Sequence, residues 1–491
     1  MTQSERELGP PRTTKGTPSY RTLWFVLFGG WLFAYADRAI TGPVVTWMIE
    51  NDIDFMHAAQ NPHALGGLIG SLFFAGYMLT QLPSGYLGDR FGHATILSVC
   101  FVWAGVATVV SGLTSGLITF VALRVITGLG EGAFYSNDRA LIVTHTPERL
   151  RSLGLGVAIT GLAFGLTVAN IFAPPLLDLG VNVLGKVHAW RMPFLVFGCG
   201  TLAFAALMWW FMRRLAGPLR PGPPLRKLMA ISAVFCVLIM TLFWLSDGLG
   251  LPEWASATLQ IVLAGVIVVV MQRRGSNRMS ISLKDRDTTL IYVAAIAILW
   301  SIWLFGYWSV AIVSSAADSS LTTAGLIAAF NAGAGIIGFP VGGWLSDKAA
   351  RHRMGRRNYL IVATVVQGLL VLLFGVYLQF TAMPSLWVMG ILMFATGLFL
   401  NAVQPMSQAL TADLVPADGR GAAFGMWNLI AEIGALASPV FSGVVRDATG
   451  SWSAAIYLDA GLVLASALLY LGVRRSGPLS GAGGGASVAV R

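Results

Sequence analysis

The sequence predicts an all-α polytopic membrane protein with about 14 transmembrane helices, and three observations support this class. Hydrophobic residues make up 56% of the 491-residue chain, charged residues make up only 11%, and the mean hydropathy is +0.72. A soluble globular domain carries about 25% charged residues. Apolar runs of about 20 residues account for the difference, because a helix of that length crosses about 30 Å of hydrocarbon. The runs are too long for barrel strands, and a helix satisfies its own backbone amides in lipid.

The apolar runs define the predicted elements in chain order. We predict fourteen spans, at 22–49, 64–87, 94–112, 117–137, 152–177, 191–212, 228–247, 255–271, 288–315, 323–346, 359–380, 385–408, 422–445 and 453–473. The pair at 228–247 and 255–271 differs from the rest, because basic, Pro-rich stretches isolate it and it carries no motif. We interpret this pair as an insertion between two six-helix halves. A segment that is interfacial or only partly spanning is the alternative.

This interpretation divides the chain into five parts. They are a cytoplasmic N-terminal tail over 1–21, an N-terminal six-helix half over 22–212, a linker with two inserted helices over 213–287, a C-terminal six-helix half over 288–473 and a cytoplasmic C-terminal tail over 474–491. The first tail is polar and lacks the apolar core of a cleavable signal. The first membrane helix is therefore expected to serve as the targeting signal.

The basic residues predict the orientation of the helices. Cytoplasmic loops of membrane proteins carry an excess of Lys and Arg. With the N-terminus inside, nearly all of the 32 Lys and Arg fall in inside segments. The exceptions are Lys186, Arg191 and Arg446 in outside segments, and Arg38 and Arg124 within spans. Both termini are therefore expected in the cytoplasm of a cell membrane, the inner membrane if the chain is bacterial. The net charge of +10 then reflects topology rather than binding of nucleic acid.

Charged residues inside the predicted spans are the main functional candidates. They are Asp37 and Arg38 in the first span, Arg124 and Glu131 in the fourth, and Glu432 in a late span. Such a charge at mid-membrane costs about 2.5–3.5 kcal/mol on insertion scales, and those that occur pair, face water or carry ions and substrate. Arg124 and Glu131 are two helical turns apart, so they lie on nearly one face, roughly 10 Å apart along the axis. We expect a functional cluster, with a static network that only fixes helix packing as the alternative.

Several other polar residues in the late spans are secondary candidates. Glu432 could titrate, or it could hydrogen-bond Asn428 one turn earlier and hold helices together; both readings stay open. Asp459 lies nearer the outer end of the last span and is expected to be a wetted helix-end residue. The remaining candidates are Asn401, Gln404 and Tyr307.

The sequence favours no enzyme, metal site or bound cofactor. All six histidines fall in loops or at span ends, which argues against a metal cluster within the membrane. The chain contains no P-loop, which argues against ATP hydrolysis. No nucleophile and base stand in a recognisable arrangement.

A short inside loop after the second span carries a family resemblance. The segment reads Gly85-Tyr86-Leu87-Gly88-Asp89-Arg90-Phe91-Gly92. It resembles the signature loop of the major facilitator superfamily, and residues 342–357 contain a partial second copy. The resemblance implies the major facilitator fold, with two parallel halves around a central site. It also implies that this loop gates alternating access, which makes Gly85, Asp89, Arg90 and Gly92 the predicted gating residues.

Further motifs resemble the anion:cation symporter branch of that superfamily. They include Tyr35-Ala36-Asp37-Arg38, Tyr77 with Gln81 ahead of Pro83, the segment from Arg124 to Glu131, Pro147-Glu148-Arg149, and the segment from Gly425 to Pro439. The resemblance implies that Asp37 and Glu131 are proton-linked and that Arg38 contacts the substrate carboxylate. Tyr77 is then a candidate contact for a substrate hydroxyl. Arg124, on the same stripe as Glu131, is the further substrate-binding candidate.

These resemblances imply proton-coupled symport of a small organic anion, a sugar acid or another carboxylate, by alternating access. The expected coupling ion is H⁺, with Na⁺ as an alternative. The expected partners are the lipid bilayer and the carboxylate, the chain is expected to be a monomer, and no nucleic acid is expected. The rival function is proton-coupled efflux of lysolipids, lipids or drugs, because lysolipid carriers of the spinster type share the Asp-Arg of the first helix and a Gly-x-Gly-Glu followed by Tyr. A third hypothesis is a receptor or scaffold that does not transport.

Overall fold

The computed structural model describes residues 18–53, 56, 59–147, 150–274, 285–350, 354–416 and 419–474, with only the backbone described at 152, 267–274 and 422. Within these residues the chain forms helices and no strands. The long helices are α1 Tyr20–Glu50, α2 Pro62–Phe91, α3 His93–Ser111, α4 Leu117–His145, α5 Arg151–Leu184, α6 Arg191–Ala216, α7 Gly222–Gly248, α8 Glu253–Arg274, α9 Arg286–Ala317, α10 Leu321–Ala350, α11 Gly355–Phe380, α12 Leu386–Leu414, α13 Arg420–Thr449 and α14 Trp452–Leu471. Short breaks at Ile40 and Ala334 interrupt α1 and α10.

Each predicted span corresponds to one helix, which confirms the predicted all-α membrane class. Among the described residues, thirteen helices are long and apolar enough to cross a membrane. The inserted helix α7 is one of the thirteen, and α8 is not among them. Most helices run further than the apolar pattern predicted, and α4 and α5 do so most at their C-terminal ends: α4 continues to His145 rather than 137, and α5 to Leu184 rather than 177. The apolar pattern marks only the part of a helix in hydrocarbon, whereas hydrogen bonding continues the helix into the polar edge.

Helix packing separates two bundles that meet along two seams. In the N-terminal bundle, α1 packs against α5, α2 against α4, and α3 against α6. In the C-terminal bundle, α9 packs against α13, α10 against α12, and α11 against α14. The bundles meet where α2 packs on α13 and where α5 packs on α10. Two bundles around a central interface are the arrangement that transporters with repeated halves use to place a site at mid-membrane.

Two glycines on α4 allow the closest contact inside the N-terminal bundle. A Cβ atom on Gly128 would lie 2.0 Å from the carbonyl oxygen of Phe73, and one on Gly132 would lie 2.3 Å from that of Tyr77. Both neighbours are backbone atoms of α2. Small residues at such positions let membrane helices approach closely. The approach brings the α2 side chains Phe73 and Tyr77 next to the charged stripe of α4.

The two bundles are joined at the end of the membrane predicted to face outside. The Tyr307 hydroxyl on α9 donates to the carbonyl of Gly66 on α2 over 2.6 Å. His63 and the backbone amide of Ala64 both contact the carboxylate of Asp447 at the end of α13, at 2.6 and 2.8 Å. Ser314 donates to Glu50 over 2.8 Å. These contacts hold the outer ends of the two bundles together.

The inserted helices lie against one of the two seams. Helix α7 packs on α2 and α4, and α8 packs on both α2 and α13. The Gln260 side chain of α8 donates to the carbonyl of Ile239 on α7 over 3.1 Å and joins the pair. The insertion therefore touches both bundles rather than only the one that precedes it.

Candidate functional site

The centre of the site is an ion pair between α1 and α4. Arg38 Nε donates to Glu131 Oε2 over 2.6 Å, and the two side chains are 1% and 2% exposed. The pair uses a single hydrogen bond. Arg38 Nη2 and Glu131 Oε1 are buried and have no hydrogen-bond partner among the described residues. The arginine therefore keeps donor capacity toward the site, and the carboxylate keeps one free oxygen.

Aromatic rings enclose the Arg38 guanidinium. Its central carbon lies 4.2 Å from the ring centre of Tyr77, 4.6 Å from that of Tyr35 and 5.7 Å from that of Phe73. The Tyr35 ring stacks on Trp303 of α9, with ring centres 5.6 Å apart. Cations are attracted to the faces of aromatic rings, and more strongly when they are removed from water. The enclosure holds Arg38 at the interface between the two bundles.

A second charge pair, Asp37 with Arg124, lies within the N-terminal bundle. Arg124 Nη1 is 3.9 Å from Asp37 Oδ1. The hydroxyl of Thr108 donates to Asp37 Oδ2 over 2.6 Å, and Arg124 Nη2 donates to Ser111 over 2.9 Å. Asp37 also lies close enough to Glu131 to interact with it electrostatically. The structure thus brings all four charges predicted from α1 and α4 into one buried network.

The C-terminal bundle contributes Glu432 and Asn428 of α13. The Asn428 amide donates to Gln81 of α2 and to Glu432, both over 3.3 Å. The other oxygen of Glu432 is buried without a hydrogen-bond partner in the described part of the chain. Glu432 also interacts electrostatically with Arg38. The predicted hydrogen bond between Glu432 and Asn428 is therefore present. Because the other oxygen of Glu432 has no partner among the described residues, a titrating role for Glu432 also stays a prediction.

The other candidates of the C-terminal bundle make no hydrogen bond to Arg38 among the described residues. Asn401 donates to the carbonyl of Gly397 in its own helix over 2.7 Å. Gln404 is 5% exposed, and its carbonyl oxygen has no hydrogen-bond partner among the described residues. Tyr307 takes part in the outer contact between the bundles. Their roles toward a substrate stay predictions.

The predicted gating loop lies at the inner ends of α2 and α3. Asp89 and Arg90 are exposed, and Asp89 pairs with His93 of the same loop over 3.3 Å. Gly92 has a φ of +92°, a conformation that side chains other than glycine rarely adopt. Gly85 packs near Ser136 of α4, 3.4 Å from where its Cβ would lie. In the described residues the loop contacts its own bundle and, through Phe91, Lys227 of the inserted helix α7 at 5.2 Å, whereas the outer ends are joined across the bundles.

Comparison with known families decides the identity of the fold. The Major Facilitator Superfamily matches residues 27–317 and 291–488, which together span most of the chain. The chain belongs to the Major Facilitator Superfamily. This confirms the predicted major facilitator fold, and it places the protein among transporters rather than enzymes.

Several relatives of this superfamily member are named as transporters of organic anions. A probable galactarate/D-glucarate transporter of Bacillus subtilis, GudP, is 24% identical over 91% of this chain and 91% of its own length. A D-galactonate transporter of Escherichia coli O6:H1 is 24% identical over 93% of this chain and 95% of its own. A probable sulfoacetate transporter of Cupriavidus necator, SauU, is 25% identical over 82% and 84%. These relatives confirm the predicted resemblance to the anion:cation symporter branch.

Solved structures share the fold. A bacterial homologue of the human lysosomal transporter Spinster, in an inward-facing and occupied conformation, aligns with a TM-score of 0.65 at 16% identity, over 94% of this chain and 98% of the other. A D-xylose–proton symporter aligns with a TM-score of 0.67 at 15% identity, over 93% and 99%. At these identities the likeness shows the fold alone.

One prediction about the superfamily member is wrong. Asp459 is not a wetted helix-end residue, because it is 0% exposed and accepts a hydrogen bond from Ser301 of α9. Helix α9 covers this side of α14. Only the packing of α9 on α14 reveals this, since the sequence near Asp459 gives its depth along the helix but not its neighbour.

Sequence reasoning also missed a charged pair on α4. Asp138 is 1% exposed, and it accepts a hydrogen bond from Trp31 Nε1 over 2.7 Å. Arg139 Nη1 donates to both oxygens of Asp138, at 3.0 and 3.2 Å. The predicted span ended at residue 137, which placed both residues in a loop. The spacing could have identified Asp138, because it follows Glu131 by two helical turns and so lies on the same face of α4.

Proposed function

We propose that this protein is a secondary active transporter that carries a small organic anion, a sugar acid or another carboxylate, together with a proton by alternating access. The observation that carries the proposal is the buried Arg38–Glu131 pair, which sits between the bundles and is held by one hydrogen bond. Buried charges in a membrane usually belong to substrate or ion pathways. A fixed cation with spare donors suits an anionic substrate.

Arg38 is the proposed carboxylate ligand. A guanidinium stays charged and can bind a carboxylate with two parallel hydrogen bonds. Glu131 occupies only Nε, so Nη2 is available to a ligand. The ring of Tyr77 lies against the guanidinium at 4.2 Å, which supports a role for Tyr77 as a contact of the bound anion. Arg124 is engaged with Ser111 and Asp37, so its proposed role is electrostatic attraction at longer range.

Glu131 is the proposed site of proton coupling, with Asp37 as its proton-linked neighbour. A proton on Glu131 removes the charge that competes for Arg38, and the substrate carboxylate then takes its place. Anion and proton are therefore bound favourably together and less favourably alone. One proton with one monovalent anion moves no net charge, whereas each extra proton would gain about 2.3 kcal/mol per 100 mV. We propose H⁺ as the coupling ion, with Na⁺ as the alternative.

Movement of the two bundles against each other would then carry the anion and the proton across the membrane. The outer ends are joined through His63, Asp447 and Tyr307, and Asp89 and Arg90 of the inner gating loop are exposed. This is the arrangement expected of a carrier closed to the outside. Opening the outer contacts and closing the inner loop would expose the same central site to the other side.

The cellular setting is part of the proposal. The helices and relatives make this a multi-pass membrane protein. We place it as a monomer in the cell membrane, the inner membrane in a bacterium, with both termini in the cytoplasm. The distribution of Lys and Arg supports this orientation.

The rival function is proton-coupled efflux of lysolipids, lipids or drugs. One observation favours it. The rings of Tyr35, Tyr77 and Trp303 around Arg38 would suit an amphiphile. The charge of the substrate distinguishes the two functions, because only an anionic substrate would bind Arg38.

A transport screen of the purified protein in liposomes tests the proposal. The probes are radiolabelled D-galactonate, D-glucarate and sulfoacetate, with lysophosphatidylcholine as the amphiphile that lacks a carboxylate. With the interior made alkaline, we expect at least one acid to accumulate above its equilibrium level, and a protonophore to abolish the accumulation. Flux of the lysolipid with no flux of any acid would contradict the proposal and support the rival function.

A further inference from the structure

Arg139 on α4 is a second arginine, partly buried and further toward the inner side than the central site. It lies eight residues beyond Glu131 on the same helix, about 12 Å further inward along the axis. Its guanidinium carbon is 3.7 Å from the ring centre of Tyr135 and 5.5 Å from that of Trp31. Trp31 in turn contacts Tyr35, which lies against Arg38, with ring centres 5.4 Å apart. Aromatic rings thus connect the two arginines.

The local design around Arg139 repeats that around Arg38. Each arginine packs on tyrosine rings, and each is paired with a carboxylate of α4, Glu131 in one case and Asp138 in the other. Asp138 is fixed by Trp31 and by Arg139, so its position does not depend on a ligand. The hydrogen bonds from Arg139 to Asp138 both use Nη1. This pairing leaves Nε and Nη2 for another acceptor.

Exposure separates the two arginines. The Arg38 side chain is 1% exposed, whereas that of Arg139 is 22% exposed. Ser136, one turn from Arg139 on the side toward Glu131, is partly exposed as well. Arg139 is therefore partly accessible to solvent and lies further toward the inner side, whereas Arg38 is closed off.

We propose that Arg139 is a second anion-binding site, at which a substrate carboxylate rests between the central Arg38 and the inner solution. The inference rests on the proposed transport of an organic anion. At this site the carboxylate is taken by Arg139 Nε and Nη2, and Asp138 is its competitor for the guanidinium. Asp138 limits how tightly the anion is held, which lets it leave.

Transport kinetics measured from each side test the site. Right-side-out and inverted membrane vesicles with equal pH on both sides give the KM for exchange of D-galactonate, D-glucarate or sulfoacetate at the outer and the inner face. We expect Arg139→Gln to raise the inner KM about tenfold and to leave the outer KM unchanged. Arg139→Lys keeps the charge but lacks the planar fork, so it is expected to recover only part of the inner affinity. Arg214→Gln is the matched control, because Arg214 is an exposed arginine that stacks on Trp210 at the inner end of α6.

Asp138→Asn gives the opposite expectation and guards against a purely structural effect. Removing the competing charge should lower the inner KM, whereas a role in folding alone would make both variants worse. An unchanged inner KM in Arg139→Gln, or an equal rise at both faces, would overturn the inference. A wild-type protein that moves none of the three acids would instead overturn the proposed function, so the two failures can be told apart.

Discussion

At the scale of single residues, the geometry of Arg38 carries the most information. Its Nε atom holds Glu131 at 2.6 Å, while its Nη2 atom is buried without a partner among the described residues. An unpartnered buried donor costs free energy, about 1–3 kcal/mol and more for a charged group. Such a donor is expected where a ligand completes the hydrogen bonds. The planar fork of the guanidinium, rather than the positive charge alone, is therefore the feature a carboxylate would use.

Replacing Arg38 by Lys tests the role of the fork. The change keeps the positive charge but removes the planar pair of N–H donors that can bind both oxygens of a carboxylate. Hydrogen bonds to charged groups contribute about 1.5–3 kcal/mol, so we expect kcat/KM for acid uptake to fall roughly ten- to a hundredfold. Uptake into proteoliposomes measures this. Arg214→Lys is the control, and equal activity of the two variants would contradict a bidentate role for Arg38.

Residue-level reasoning from the sequence identified the cluster but not its extent. Asp37, Arg38, Arg124 and Glu131 could be selected because a charge in a hydrocarbon span is costly and so needs a reason. Asp138 escaped because the predicted span stopped one residue too early. Asp459 was misjudged because a neighbouring helix, not its own sequence, decides its burial.

At the scale of elements, the contact between α2 and α4 positions the site. Gly128 and Gly132 pack directly on the backbone of α2, so the glycines of this stripe serve helix packing. The third glycine of the group, Gly130, faces Trp103 of α3, whose ring lies 2.3 Å from where its Cβ would be. The glycine spacing on α4 thus correctly indicated a helix surface without bulky side chains. The sequence did not show whether a neighbouring helix or a substrate packs on that surface, and in the structure it is α2 and α3 that pack there.

Gly128→Ala tests that contact. The added Cβ atom would meet the Phe73 carbonyl at 2.0 Å, and a backbone atom cannot move aside as a side chain can. Overpacking of this kind costs typically about 1–3 kcal/mol. We expect a lower unfolding temperature in detergent and reduced uptake, because Tyr77 moves with α2. Gly156→Ala is the control, since no atom lies within 4 Å of its Cβ position. Equal stability of the two variants would refute the close contact.

The outer contact between α2 and α13 is the second element-scale feature. Asp447 accepts hydrogen bonds from His63 and from the backbone amide of Ala64 at the start of α2. A carboxylate is favourable at the N-terminus of a helix, by about 0.3–1 kcal/mol at exposed positions. One side chain thus ties the two bundles together at their outer ends.

Asp447→Asn is expected to loosen this closure. In a cysteine-free background with Val45→Cys, which is 0% exposed in the closed form, a membrane-impermeant maleimide should react several-fold faster from outside. The reason is that the neutral amide is a weaker partner for His63 and for the α2 terminus. Asp247→Asn, at the outer end of α7, is the control. A modification rate unchanged from that of the control would show that Asp447 does not hold the outer side closed.

Pairings across the bundles were beyond the reach of sequence reasoning. Gln81 and Asn428 are 347 positions apart, and His63 and Asp447 are 384 apart. No periodicity within one helix encodes such partners. The helices themselves could be predicted because hydrocarbon thickness fixes their length and composition, whereas the partners depend on how two separately formed bundles meet.

At the scale of the whole molecule, the two seams and the insertion define how the bundles can move. Helix α8 packs on α2 and on α13, so it touches both sides of one seam. If the two bundles rotate against each other about the central site, α8 has to move with one bundle and slide along the helix of the other. Neither inserted helix packs on the second seam, between α5 and α10, in the described part of the chain.

Proton-driven accumulation by the Glu131→Gln variant tests the central claim most directly. The amide cannot give up a proton, so the variant should lose accumulation of the acid driven by an inward proton gradient. It should keep some exchange of labelled for unlabelled acid, because Arg38 remains. Asp459→Asn is the control, a buried carboxyl bonded to Ser301 in the other bundle. The account predicts gradient-driven uptake in wild type and the control but not in Glu131→Gln, and normal gradient-driven uptake by Glu131→Gln would contradict it.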